Sequence, residues 1–156
     1  MCEYCGCQDV TAIGELTREH DAAVDLIGEA RSAHRAGELR ALSACARRIA
    51  ELLGPHTAVE EDGLFPALRD EFPEQIARLE AEHRLIERAL HEAAYAPTDR
   101  EWPTRLLAAL DVLCRHILKE QDGVFPAALT GLTVEQWESV DAVRAKVGTA
   151  LAVPGS

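Results

Sequence analysis

Aromatic residues are scarce, at 4% of 156 positions, and prolines number seven. No stretch alternates polar and apolar with the period of a half-buried strand, so a β architecture is excluded. No run of eighteen apolar residues occurs, which excludes a hydrophobic membrane span. Positive charge is the rarer sign: 16 Lys and Arg stand against 27 Asp and Glu, a net charge of −11. Nucleic acids and anionic membranes both demand a basic face, so neither is expected as a partner. The start, Met1-Cys2-Glu3-Tyr4, has neither a charged nor an apolar leader segment, and a cytoplasmic location is the expectation. Cysteine is odd in number and uneven in place. Cys2, Cys5 and Cys7 crowd the first seven residues while Cys45 and Cys114 stand apart, unlike a secreted disulfide framework.

What the sequence does have is a motif written twice. His56-Thr-Ala-Val-Glu60-Glu61-Asp-Gly-Leu-Phe-Pro-Ala67 returns sixty residues on as His116-Ile-Leu-Lys-Glu120-Gln121-Asp-Gly-Val-Phe-Pro-Ala127. Helix positions four apart share a face about 6 Å apart along the axis, so each copy aims one imidazole and one carboxylate the same way. A second pair lies upstream of these: Arg18-Glu19-His20 and Ala81-Glu82-His83, sixty-three residues apart.

The apolar spacing around these residues is helical throughout. Ile13, Leu16, His20, Val24 and Ile27 form one stripe, with Asp9 or Thr11 as its cap and Gly37 as its stop. Leu42, Cys45, Ile49, Leu52, His56, Val59 and Glu60 form the next. It runs through Gly54-Pro55, where a kink is expected, and Pro66 should bend or end it. Ile76, Leu79, His83, Ile86 and Leu90 form a third, from about Pro73 to the break at Tyr95-Ala-Pro97. Thr98 to Glu101 then reads as a capping box before Leu106, Leu110, Leu113, His116, Glu120 and Val124. Beyond Gly131, a second capping box at Thr133 to Gln136 opens a fifth helix, with Val134, Trp137, Val140, Val143 and Val147 laid on the outside. The expected fold is all-α: an up-down four-helix bundle made of two helical hairpin repeats, plus a short C-terminal fifth helix. Residues 1–10 form a Cys-rich tip, 11–130 the bundle, and 131–156 the last helix and tail.

In this arrangement His20, His56, Glu60, His83, His116 and Glu120 all occupy core positions. A single core histidine is ordinary. Six such groups at corresponding levels are not, because buried carboxylates facing one another cost several kcal/mol and repel. Cations remove both penalties. Imidazole and carboxylate without thiolate suit iron, and manganese less well. Two carboxylates able to bridge suit a pair of ions with positions left open for an oxo or hydroxo bridge and a ligand.

These residues resemble the hemerythrin-like (HHE cation-binding) domains: a lone His20, then His56-x-x-x-Glu60, a lone His83, then His116-x-x-x-Glu120, over roughly residues 11 to 130. The resemblance implies a four-helix bundle with a non-haem di-iron centre that meets dioxygen, nitric oxide or peroxide in oxidative or nitrosative stress. Catalase- or peroxidase-like and nitric-oxide-reductase-like reactions are the activities it suggests. Oxygen-carrying hemerythrins have a further histidine where this chain has Glu87. The sequence is therefore more similar to the four-His, two-Glu variant of iron–sulfur repair di-iron proteins.

Glu87, four past His83, is open to three roles: an additional ligand, a proton relay, or a helix-surface charge. Glu19 and Glu82 read as solvated charges first and as acceptors for ligand imidazoles second, and Glu61 as either a surface charge or such an acceptor. Cys2, Cys5 and Cys7 form a candidate redox or second metal site, or an attachment point for a protein partner. Through that tip the chain would act instead as an oxygen or iron sensor, or as an iron donor for cluster repair.

Overall fold

The computed structural model describes residues 7–151, with side chains from residue 11 onward; Cys2, Cys5 and the Cys7 side chain lie outside the described residues. Four long rods run through the chain in order. The first is α1 (Cys7–Arg35). The second is α2 (Leu39–Val59), a π-helical turn (Glu60–Leu64) and α3 (Phe65–Leu68). The third is α4 (Pro73–Tyr95). The fourth is α5 (Trp102–Lys119), a second π-helical turn (Glu120–Val124) and α6 (Phe125–Gly131). A fifth helix, α7 (Val134–Val147), packs against the first π turn, α2 and α1. Consecutive rods are neighbours, and α1 closes the bundle against α5. Among the described residues there is no strand, and no helix is long and apolar enough to cross a membrane.

Local chemistry explains most boundaries. Gly37, at φ 73, lets Glu38 N–H reach the Ala33 carbonyl and Gly37 N–H that of His34, which satisfies the end of α1. Thr133 and Gln136 exchange side-chain and backbone hydrogen bonds, as the expected capping box requires. Two expectations are corrected. The chain is already helical at Cys7, so Asp9 and Thr11 lie inside α1 and do not cap it. Thr98 caps nothing: its hydroxyl donates to Glu92, Asp99 accepts from Glu101 N–H, and α5 starts at Trp102, where Pro103 suits a first turn. Pro66, expected to bend or end its rod, sits in the rod's last segment, which stops at Leu68. In the π turn Phe65 N–H bonds back five residues to the Glu60 carbonyl. A missing donor at the next position falls where the ladder is already changing register.

The core is divided in two. One apolar cluster holds Ile27, Leu42, Ile49, Leu90, Leu106 and Leu110; the other holds Leu16, Leu64, Phe65, Ile76, Phe125 and Trp137. Between them lies one polar layer, because every buried polar or charged side chain among the described residues belongs to it: Glu19, His20, His56, Glu60, His83, His116 and Glu120. Val24, expected in the stripe of α1, is 48% exposed, and Ala23 takes the buried place.

Gly63 in the first π turn is where α7 comes closest: a Cβ there would lie 3.1 Å from Val140 Cα. Its repeat mate Gly123 has open space at the same position. Gly63→Ala is therefore expected to lower stability by about 1–3 kcal/mol through overpacking. Gly123→Ala should be neutral or slightly stabilising, and paired thermal unfolding curves check the contrast.

Candidate metal centre

Each rod delivers its donors at the level where its apolar stripe switches from one core cluster to the other. On α1 the switch falls between Leu16 and Ala23, and on α4 between Leu79 and Ile86. His20 and His83 sit in those gaps. On the second rod the switch falls between Leu53 and Val59, where His56 sits, and on the fourth between Ile117 and Phe125, where Glu120 sits; each pair's glutamate opens a π turn.

The four imidazoles form two pairs: His20 and His56 with ring centroids 4.7 Å apart, His83 and His116 at 4.6 Å. Each carboxylate spans both pairs. Glu60 places Oε2 3.3 Å from His56 Nε2 and Oε1 3.2 Å from His83 Nε2. Glu120 places Oε1 3.0 Å from His20 Nε2 and Oε2 3.3 Å from His116 Nε2. The donor atoms of His20, His56, Glu60 and Glu120 all lie within 4.8 Å of one another, and so do those of Glu60, His83, His116 and Glu120. Each group could hold one cation, and the two glutamates are common to both.

Several of these atoms lack a partner. Both oxygens of Glu60, Oε2 of Glu120 and Nε2 of His116 are buried without a hydrogen-bond partner. Buried unsatisfied groups of this kind are costly and uncommon. Their lone pairs converge on the same space, and the donor set of imidazole and carboxylate is one that iron or manganese accepts. The residues fit a metal.

Burial disfavours the charged form of His56, but the charge of Glu60 and the hydrogen bond to Glu19 push its pKa up to about 10. Burial likewise opposes His116, yet Glu120 and Glu60 push it up to about 9. His83 is raised too, against its burial, by Glu60 and Glu61. Burial would raise Glu60, but the positive charge of His56 holds it well below the usual carboxylate range.

The outward-facing nitrogens are all engaged. His56 Nδ1–H donates to Glu19 at 3.0 Å and His116 Nδ1–H to Glu82 at 2.9 Å. His83 Nδ1–H donates to Glu61 at 2.7 Å and His20 Nδ1–H to the Gln121 side-chain oxygen at 3.1 Å. Such bonds fix the tautomer that leaves Nε2 free for a metal. The reading of Glu19 as a solvated charge is corrected: it is fully buried, and it is held by His56, Arg144 and Thr149. Despite burial, those hydrogen bonds lower its pKa to about 2. Glu61 and Glu82 are partly shielded and pair with Arg84 and Lys119 as well as with histidine. The one signal in the sequence that marks Gln121 is its place directly after Glu120, which repeats that of Glu61 after Glu60. The sequence assigns the motif's phenylalanines no role. Phe125 stacks on His20 with rings 11° from parallel, and Phe65 stacks on His83 at 9°.

A cavity of about 220 Å³ reaches the four histidines, with Leu53, Ile86, Leu90 and Leu113 among its apolar walls. Gly54, Glu87, His91 and Tyr95 also line it. Glu87 belongs to neither donor group; its side chain is 48% exposed and accepts from Arg84.

A family model described as the hemerythrin HHE cation binding domain matches residues 11–128. The chain belongs to that family. No curated protein and no solved structure matches it. The hemerythrin domain thus takes in all four rods and both halves of the donor layer, whereas α7 lies beyond the matched residues. Cys45 is buried in the apolar core and Cys114 is partly buried; neither joins the donor layer.

Proposed function

We propose that this hemerythrin-family chain holds two iron ions and uses them to bind and react with a small oxidant: peroxide, nitric oxide or dioxygen. One ion would be held by His20 and His56, the other by His83 and His116, with Glu60 and Glu120 bridging. Iron in such a site supplies one-electron redox chemistry and an open coordination position for the oxidant.

The chain's own residues do the rest. Glu19, Glu61, Glu82 and Gln121 hold the four imidazoles by Nδ1, so the Nε2 lone pairs stay aimed at the centre. Phe65 and Phe125 cover the far side of the layer and exclude water from it. The observation that carries the reading is the set of buried, partnerless carboxylate oxygens of Glu60 and Glu120, set among four histidines that line a cavity of about 220 Å³. Pockets for drug-sized organic ligands usually start near 300 Å³, so a cavity this small favours a diatomic molecule or peroxide. Glu87, at its rim, is placed to pass protons between solvent and the cavity.

The test uses iron-loaded protein with peroxide and nitric oxide in stopped flow. Single-turnover absorbance changes are expected with one or both. Gly54, at the cavity mouth with open space at its Cβ position, provides the control. Gly54→Leu should slow the reaction about tenfold or more with iron content unchanged. A centre that holds iron but reacts with neither oxidant would refute the proposal.

A further inference from the structure

The two halves of the donor layer are built alike inside and differently outside. In the second half, Glu82 supports His116 and is itself paired with Lys119, a half-exposed residue of the same rod as His116. In the first half, the repeat mate Glu19 supports His56, but its partner comes from elsewhere. Arg144 on α7 donates Nη2–H to Glu19 Oε1 at 2.7 Å and Nη1–H to Oε2 at 2.9 Å, a two-pronged grip on one carboxylate. Thr149 adds a third bond to Oε2 at 2.7 Å.

Local structure prepares this grip. Gly148, at φ 71, ends α7 and turns the chain back; its carbonyl accepts from Arg144 Nη1 and its N–H donates to the Arg144 carbonyl. A second carboxylate, Glu15, holds Arg144 Nε at 2.9 Å, so the guanidinium is fixed on all sides. Glu19 is fully buried, so water cannot replace these partners, whereas Glu82 keeps a 20% exposed side chain that water can reach.

We propose that Arg144 and Thr149, contributed by the C-terminal segment outside the matched hemerythrin domain, are positioning residues for the His56 imidazole, and that filling of the His20–His56 half of the centre depends on them while filling of the His83–His116 half does not. Without the guanidinium, Glu19 is an uncompensated buried carboxylate. With both prongs of the grip gone, its carboxylate is no longer held in place and stops presenting a fixed acceptor to His56 Nδ1–H. The imidazole loses the tautomer and aim that metal binding requires, and loss of such an outer acceptor typically costs 10–100-fold in metal affinity.

The inference rests on the two-ion reading, and wild-type protein tests that reading separately. The assay is ferrous iron loaded anaerobically, metal per chain by mass spectrometry, and the Mössbauer spectrum. Wild type should hold two ions. Arg144→Met should hold one, with the matching half of the iron signal gone, and adding His83→Ala should remove the remaining ion. Thr149→Val should weaken one ion about tenfold, and Lys119→Met should keep both. Arg144→Lys, which keeps a charge but loses the fork, should retain part of the second ion and guards against failure to fold. Val140→Ala loosens α7 without touching Glu19 and should keep both ions despite a lower melting temperature. In metal-free protein, a slowly exchanging His56 Nδ1–H resonance should vanish in Arg144→Met and survive in Val140→Ala. Two ions in Arg144→Met, or equal loss in Arg144→Met and Val140→Ala, overturns the inference. A wild type without two ions overturns the two-ion reading itself.

Discussion

Replacing Glu60 with Gln is expected to remove both ions together, and Glu120→Gln to do the same. Each carboxylate puts one oxygen beside each histidine pair, so neither half can lose a glutamate without the other losing it too. An amide keeps the shape but carries no charge, and its nitrogen would aim an N–H at the cation. The expected loss exceeds about 100-fold in affinity for each ion, beyond what outer-layer substitutions cost. His83→Ala should behave differently: it removes a donor from one half only, so one ion should remain. Metal titration with calorimetry on the three variants checks the contrast between joint and single loss.

The second large effect is on pH. Without metal, His56 and His116 keep their protons up to about pH 10 and about pH 9. Each ion must therefore displace at least one proton, from His56 in one half and His116 in the other. Apparent affinity should fall about tenfold per pH unit for each ion from pH 9 to pH 7, because metal and protons compete for the same nitrogens. Stability of the metal-free protein follows the same protons. Both histidines have folded-state pKa values above the ordinary 6.5, so their contribution is complete below about pH 6.5 and is lost as pH rises toward 9 and 10. The opposite sign holds for Glu19, lowered from 4.5 to about 2: its contribution is present above 4.5 and lost as pH falls toward 2. Metal-free protein should thus be most stable between about pH 4.5 and 6.5. Denaturation midpoints across pH 3 to 10 measure this, and a metal-free protein most stable at pH 9 would contradict it.

Much of the bundle could be read from spacing alone, since Leu16, Ile49, Ile76, Ile86 and Leu110 obey a 3.6-residue period and are buried where that period puts them. The six donors were visible for the same reason: His20, His56, His83 and His116 take places that leucine would otherwise hold, and the structure brings them into one layer with Glu60 and Glu120. The π turns were not visible. Counting at a constant period cannot register an extra residue per turn, so it leaves Glu61 between a surface charge and an imidazole acceptor. The actual turns bring Glu61 to His83, and the rod that follows carries Phe65 onto the same ring. The burial of Glu19 is hidden from the sequence for a different reason. A carboxylate beside a core histidine is solvated unless something distant neutralises it, and its neutraliser, Arg144, lies 125 residues away on a helix read only as an outer layer.

An anomalous difference map at the iron edge, from crystals of the iron-loaded protein, tests the central claim most directly. Two peaks are predicted inside the bundle, one between His20 and His56, the other between His83 and His116, with Glu60 and Glu120 touching both. A single peak, a peak outside that layer, or four imidazoles with no iron between them would contradict it.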